Sequence, residues 1–397
     1  MCSTNSASCW NRKSGFSDIS VRYRRHVPPL LLHFLVGLSF TNNALYPLYV
    51  QSAGGGPQVV GWFMATYYLA AILGRPLIGK ALNRLGFKPV LLAGLLLIAL
   101  TPALFVPVRY RWGYMFLIRL FQGLGFGAYF SAFFTLAAER APAGRQTETV
   151  GIYGLPGMAA NLIGPGLGEW IVRTRGLDTF FLILTGVGCL ALGLALVVPA
   201  QSANRSLSGA VSFRRYRSLM LPFALSFLLA FAWAAPVMFL APLAEIRHLR
   251  GFGLYFTTFA LSGIIFRIWG RSWADRFGRR WVLLPAFLLY GAGMLLLAVS
   301  ATLSPLLLAG IVVGAAHGLA FPAVTTLAYT LAPEDIRGSA MALSTGMLDL
   351  GGFSAGFFLG WVAAVWQVSL VFPVATLVAW TAAGLVALHL RTSPVSR

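Results

Sequence analysis

Arg75-Pro-Leu-Ile-Gly79-Lys-Ala-Leu-Asn83-Arg84-Leu-Gly86-Phe-Lys88 is answered 192 residues later by Arg267-Ile-Trp-Gly270-Arg271-Ser-Trp-Ala-Asp275-Arg276-Phe-Gly278-Arg279-Arg280. Arg75 pairs with Arg267, Asn83 with Asp275, Arg84 with Arg276 and Gly86 with Gly278. The match has one slip: Gly79 stands four residues before Asn83, whereas Gly270 stands five before Asp275, with Arg271 at the glycine's place. Each phrase follows an apolar run and ends on basic residues, as a short loop between membrane helices does. A chain that repeats such a loop at this period is most simply two similar helical bundles in tandem.

Apolar residues make up 58% of the 397-residue chain and charged residues only 10%, and mean hydropathy is +0.77. These values lie well outside those of an ordinary soluble domain, so the expected fold class is an all-α membrane protein. One crossing of a hydrocarbon core takes about 20 apolar residues. The apolar runs predict twelve transmembrane helices, over 29–50, 58–78, 90–107, 112–138, 149–172, 178–199, 219–243, 252–273, 282–301, 304–330, 338–362 and 367–390. The predicted organisation is a cytoplasmic tail (1–28), a six-helix bundle (29–200), a polar, basic linker (201–218), a second six-helix bundle (219–390) and a short cytoplasmic tail (391–397). The two bundles are related by pseudo-symmetry.

The net charge of +20 reads as topology. With Arg109, Arg111, Arg173, Arg175, Arg247 and Arg250 on one side and Arg119 inside the bilayer, 23 of the 30 Lys and Arg fall on the other side. The positive-inside rule makes that side cytoplasmic, with both termini, both repeated loops and the linker. Nucleic acid is therefore not an expected partner, whereas an anionic lipid surface is. The first 26 residues hold no apolar core before their charges, which argues against a cleaved signal peptide. The expected location is a cell membrane, as a multi-pass protein of the bacterial inner (plasma) membrane. Cys2, Cys9 and Cys189 have no metal-ligand spacing and no evident pairing, so neither a metal nor another cofactor is expected.

The repeat runs beyond the loops. Ala141-Pro142-Ala-Gly-Arg145 is echoed by Ala332-Pro333-Glu-Asp-Ile-Arg337, Gly123 and Gly127 by Gly314 and Gly318, and Gly154, Gly164 and Gly168 by Gly346, Gly356 and Gly360. On these residues the chain resembles a major facilitator superfamily transporter from about Pro28 to Leu390. The loop phrase resembles the family signature between helices 2 and 3, and Arg119-Leu-Phe-Gln122-Gly123-Leu-Gly125 resembles its helix 4 motif. Gly164-Pro165-Gly-Leu-Gly168 is similar to the helix 5 motif of the antiporter branch, although Ala160 and Glu169 replace glycines at its edges.

The resemblance implies a conformational latch built from Gly79, Asn83, Arg84 and Gly86 in the first loop and Asp275, Arg276, Gly278 and Arg279 in the second. The acidic position would cap the next helix and accept from a guanidinium. Asn83 can cap but cannot form the charge pair, so the electrostatic latch is expected mainly at Asp275. In span 5, Gly157, Gly164, Pro165 and Gly168 predict a bent, closely packed helix at the boundary between bundles, suited to rocking.

Ionisable groups inside the spans are the sharpest candidates, because a charge in hydrocarbon is costly without a partner or a wet cavity. Asp349 leads: the repeat puts Gly157 in its place, so the template requires no acid there. A carboxyl in apolar surroundings favours its neutral form unless a cation is close, which suits proton coupling. His317, near the middle of span 10, could share a proton with Asp349, or be a neutral core histidine. The family resemblance implies a proton-transfer role for Arg119; snorkelling or a pair with Glu169 is the bland alternative.

Asn42 and Asn43 are consecutive, about 100° apart on a helix, so at most one faces the cleft. Tyr46, Tyr67, Tyr68, Gln122, Trp233 and Phe321 could line it. No acid stands in span 1, where many proton-linked drug exporters of the family carry one. The low charge of the cleft favours a neutral or amphipathic cargo, with room for a cation at Asp349. The expected activity is therefore alternating-access secondary transport rather than enzymic turnover, with a small organic molecule (drug-like, sugar or metabolite) exported against protons. The unit is expected to be a monomer. A proton-linked importer of a sugar or metabolite, and a non-transporting membrane receptor, stay open as alternatives.

Overall fold

The computed structural model describes residues 14–108, 111–140, 146–198, 217–270, 273–333 and 336–392. Nearly all of the predicted linker and parts of both predicted tails lie outside them. Every regular element among the described residues is helical. The order is α1 (Ser14–Thr41), a 3-10 turn (Asn42–Leu45), α2 (Tyr46–Ser52), α3 (Pro57–Leu85), α4 (Phe87–Leu104), α5 (Trp112–Glu139), α6 (Gln146–Leu196), α7 (Met220–Ile246), α8 (Leu254–Trp269), α9 (Trp273–Phe277), α10 (Arg279–Val299), α11 (Leu303–Leu331), α12 (Arg337–Val365), a second 3-10 turn (Val368–Leu370) and α13 (Val371–Thr392).

The breaks have local causes. Pro47 cannot donate to the Asn43 carbonyl as an α-helix requires; the Tyr46 N–H takes that carbonyl instead, and the chain tightens into a 3-10 turn where span 1 was predicted to be continuous. Gly86 (φ 80°) and Gly278 (φ 88°) end the helices before α4 and α10, in a backbone region that only glycine enters cheaply. Spans 5 and 6, predicted as separate, form one unit that is broken only at Gly176, with φ 83° and ψ 171°.

Eight helical stretches among the described residues are long and apolar enough to cross a bilayer, one of them the 45-residue run Ile152–Leu196 in α6. Three other helices at predicted spans fall short for visible reasons: α1 carries Arg22, Arg24 and Arg25 and stops at the 3-10 turn. α3 carries Arg75, Lys80 and Arg84 within its length, and α8 has only 16 residues.

Packing follows one scheme twice. In residues 14–198, α1 packs on α6, α3 and α4 on α5, and α4 on α6; in residues 217–392, α7 packs on α12, α8 and α10 on α11, and α10 on α13. Repeat-related glycines sit at equivalent crossings: a Cβ on Gly123 of α5 would lie 2.2 Å from the Tyr67 carbonyl oxygen of α3, and one on Gly314 of α11 would lie 2.1 Å from that of Phe259 in α8. The two sets of helices meet where α3 crosses α12, where α6 crosses α8, and where the first 3-10 turn and α2 reach α7. The largest apolar core runs across that last contact, joining Tyr46, Tyr49, Phe63, Phe105 and Phe181 to Met238, Phe239 and Leu240.

Candidate functional site

Arg119, in the second turn of α5, is only 1% exposed. One of its terminal nitrogens donates to Asn43 Oδ1 at 2.7 Å and to Gln122 Oε1; the other points at the Met64 sulfur, 3.3 Å away. Gln122 in turn donates to the Tyr46 hydroxyl at 2.6 Å. The rings of Tyr67, Tyr46 and Phe63 lie around the guanidinium at 4.6, 4.7 and 5.1 Å to their centroids. The 3-10 turn aims Asn43 here, while Asn42 turns back to the Leu38 carbonyl at 2.7 Å. Glu169 is engaged elsewhere, and no carboxylate among the described residues pairs with Arg119.

Beside Arg119 lies an internal cavity of about 20 Å³, room for about one water. Its wall comes from both parts of the chain: Phe40, Thr41, Asn43, Met64, Tyr67, Tyr68, Arg119 and Asn161 on one side, Trp233, Val237 and Phe256 on the other. Of the residues predicted to line a cleft, Asn43, Tyr67, Tyr68 and Trp233 do so. Tyr46 and Gln122 form the layer behind, positioning Arg119.

Asp349 does not stand alone. Arg75, one of the residues that define the repeated loop, reaches from α3 to α12 and donates through Nε at 2.9 Å and through a terminal nitrogen to the same carboxylate oxygen. The two side chains are 29% and 18% exposed. One turn further along α12, Gly352 lies against the Tyr68 ring, so the bridge abuts the cavity wall. His317 is not part of it. Its ring is stacked on Phe321 (5.6 Å) and flanked by Phe259 (5.3 Å), Trp233 (5.4 Å) and Tyr290 (6.1 Å), and its Nδ1 is buried without a hydrogen-bond partner. The face of α11 that carries His317 looks toward α7, α8 and α10, whereas Asp349 faces α3. Arg267, the repeat counterpart of Arg75, lies over the Phe321 ring at 5.6 Å, and its Nε is unpartnered. The acid that would complete a second bridge has Gly157 in its place.

The span 5 glycines face a different neighbour from the one expected. Cβ atoms on Gly157, Gly164 and Gly168 would lie 2.7 Å from His33 Nε2, 2.3 Å from Thr41 Oγ1 and 2.0 Å from Asn42 Oδ1, all on α1 or its 3-10 extension, within the same bundle. Contact across the boundary is made by the next positions: Pro165 and Gly166 press on Gly253. Glu169, 3% exposed, accepts from the Gly251 and Gly253 N–H groups at 2.8 and 2.7 Å and from Arg173 Nε at 2.9 Å. Arg173 also donates to Glu245 at 2.8 Å. A carboxylate from α6 thus sits on the N-terminus of α8, where the helix dipole favours negative charge. These contacts seal the boundary at the end opposite the repeated loops.

Neither loop places a side-chain cap on the helix that follows it. Asn83 is exposed within α3, and α4 starts at Gly86 with no side-chain cap; α10 likewise starts at Gly278 uncapped. The expected cap fails because the glycine occupies the N-cap position itself. Arg84 is exposed and Gly79 faces open space. Arg276 lies over Phe277 at 5.6 Å, and Arg279 donates to the Thr326 carbonyl at 3.3 Å and to the Thr330 hydroxyl of α11. The side chain of Asp275 lies outside the described ones.

Sequence reasoning missed Arg75, Arg267 and Glu169 as site residues. Their signal was present: the two arginines open both copies of the repeated phrase, and Glu169 is an acid inside an apolar run.

Comparison with known proteins agrees with this architecture. The family profile of the Major Facilitator Superfamily matches residues 30–271 and 222–397. The multidrug resistance protein B homolog of Mycobacterium tuberculosis is 30% identical over 161 residues, 39% of this chain and only 30% of that protein; the chain thus matches less than a third of its length. The maltose permease of Geobacillus stearothermophilus is 28% identical over 88% of this chain and 90% of its own. Among solved structures, the nucleoside transporter NupG superposes with a TM-score of 0.73 at 15% identity, covering 92% of this chain and 99% of that one. The xylose transporter XylE of E. coli, in a partially occluded inward open conformation, gives 0.73 at 16% identity over 94% and 98%. With both copies of the repeat inside the matched profile and the helices packed as in solved transporters, this multi-pass membrane protein belongs to the major facilitator superfamily.

Proposed function

We propose that the chain is a secondary active transporter with twelve crossings in two six-helix bundles, 29–200 and 219–390, that exports a small organic molecule in exchange for protons. The count follows if α6 crosses twice about Gly176 and if α1 with α2, α3 and α8 each cross once beside the other long helices. The loops and termini then face the cytoplasm by the positive-inside rule, and the Glu169 seal faces outward. Export is favoured by the helix 5 phrase and by similarity to a multidrug resistance protein and to the staphylopine export protein of Staphylococcus aureus, 26% identical over 45% of this chain.

The observation that carries the proton-coupling reading is the Arg75–Asp349 bridge. It is the one carboxylate–guanidinium pair at mid-helix depth among the described residues, and it ties one bundle to the other beside the cavity. A proton arriving on Asp349 removes the negative charge, weakens the tie and lets α3 and α12 move apart. The bridge thus links proton occupancy to bundle orientation. Arg119 serves the cavity rather than this step, and His317 packs against Trp233 of the cavity wall.

The test is flux in proteoliposomes under an imposed pH gradient, with Asp349→Asn beside the wild type. The wild type should accumulate substrate against its gradient at the expense of protons, and Asp349→Asn should lose that drive while keeping passive exchange. Equal gradient response in both proteins would remove Asp349 from coupling. Substrate moving with protons would favour the second reading, a proton-linked importer, to which the near full-length similarity to a maltose permease lends weight.

A further inference from the structure

The bridge at Asp349 makes no use of Arg119. Its guanidinium is charged at every physiological pH, is 1% exposed, and is surrounded by two amide oxygens, a thioether and three ring faces. Those groups orient a cation without neutralising it, and a buried charge left without a counter-charge is costly. Of the acidic side chains described, the two buried deepest are both engaged: Glu169 with Gly251, Gly253 and Arg173, and Asp349 with Arg75. The Arg119 Nε–H is itself buried and unpartnered, and the residue lines the central cavity with Tyr67, Tyr68, Trp233 and Phe256. The cavity therefore offers one unmatched positive charge, a free donor and aromatic walls.

We infer that the central cavity recognises the anionic end of its cargo, a singly charged oxyanion of the carboxylate class carried on an aromatic or apolar body, with Arg119 as the anchor. The planar guanidinium presents parallel donors that suit a carboxylate, and the rings of Tyr67, Trp233 and Phe256 give the body a surface once the bundles part, since the closed cavity of about 20 Å³ holds only about one water. A single charge is specified because Arg119 is, among the described residues, the one charged residue in the cavity wall, and Arg75 beside that wall is committed to Asp349. A cationic cargo, for which the sequence left room at Asp349, would meet a filled carboxylate and an unneutralised arginine. The inference rests on the transport reading only for the word cargo; binding alone tests the site.

The experiment uses the purified full-length chain at pH 7, with benzoate, 4-phenylbutyrate and indole-3-acetate, each beside its methyl ester, and benzyltrimethylammonium as the cationic control. Equilibrium binding and counterflow are both read. At least one carboxylate should bind the wild type about 10-fold or more tighter than its ester and than the cation, the scale of a charge-assisted hydrogen bond. Arg119→Gln should collapse the difference between acid and ester, and Arg119→Lys should keep part of it. The inference is overturned if ester or cation binds as well as the acid, if Arg119→Gln weakens all three alike, or if no carboxylate of the set binds. Should Arg119→Gln not fold, the wild-type comparison and Arg119→Lys still decide. Arg119-dependent carboxylate binding without flux would support the site and sink the transport reading; flux of neutral compounds indifferent to Arg119 would do the reverse.

Discussion

Asp349 is held by Arg75, and a pair this far inside a helical bundle should behave as a unit. Removing Asp349 leaves Arg75 charged and unpaired in poorly hydrated surroundings, and removing Arg75 leaves a carboxyl that must stay desolvated or take up a proton, so each single change costs more than the bond itself is worth. With the side chains 29% and 18% exposed, part of that penalty is relieved by water. A double-mutant cycle of Arg75→Ala and Asp349→Ala on thermal unfolding should therefore show a coupling of about 1–3 kcal/mol, the double variant being less destabilised than the singles sum to. Strict additivity would mean that the bridge contributes nothing to the folded state. The acid was legible in the sequence as a carboxyl where the repeat supplies glycine, but its partner was not. The two residues are 274 positions apart, and periodicity reports which face a residue occupies only relative to its own helix. The same limit hid the separation of His317 from Asp349: neighbouring spans were readable, and the direction each face looks was not. Asn43 and Asn42 diverge within the 3-10 turn: Asn43 lines the cavity, while Asn42 bonds back to the Leu38 carbonyl.

At the scale of elements, the glycines of α6 show how a pattern can be read correctly and its neighbour missed. Small residues at 157, 164 and 168 do mark close helix packing, yet the helix they receive is α1 of the same bundle. The adjoining Pro165 and Gly166 make the contact across the boundary. Gly168 is the tightest notch, where a methyl would fall 2.0 Å from Asn42 Oδ1. That amide cannot retreat without giving up its bond to the Leu38 carbonyl at 2.7 Å. Gly168→Ala should destabilise the protein by about 1–3 kcal/mol, as overpacking does. Gly186, on the same element with nothing within 4 Å, is the control. Gly186→Ala should be neutral or stabilise by up to about 1 kcal/mol through backbone entropy. Thermal unfolding midpoints in one detergent separate the two, and equal shifts would show that the α1–α6 seam is looser than drawn. The seam also explains why the glycine phrase tolerates Glu169 at its edge, because that position has left α1 and capped α8 instead.

The whole molecule repeats its packing scheme, and the repeat makes the two boundary crossings unequal. At the α3–α12 crossing an arginine and an acid close on each other. At the α6–α8 crossing the equivalent arginine, Arg267, lies over the Phe321 ring with its Nε unpartnered, and the charge contact has moved outward to Glu169, Arg173 and Glu245. One crossing is therefore tied near the middle of the bundle and the other at the end away from the repeated loops. Rocking of two bundles about these crossings would open one end as it closes the other, and it would break the outer tie without requiring the helices themselves to bend. Spin labels report this directly. Leu104 and Val299 are exposed at the loop-distal ends of α4 and α10, and Leu85 and Phe277 are exposed beside the two repeated loops. If the bundles move as rigid bodies, Glu169→Ala should lengthen the Leu104–Val299 distance and shorten the Leu85–Phe277 distance in the same sample, because loss of the carboxylate frees the N-terminus of α8 and Arg173 together. The magnitudes need not match, but the signs must be opposite. Two distances that lengthen together would indicate loosening of the fold, and no change in either would show that the outer tie does not set the orientation of the bundles.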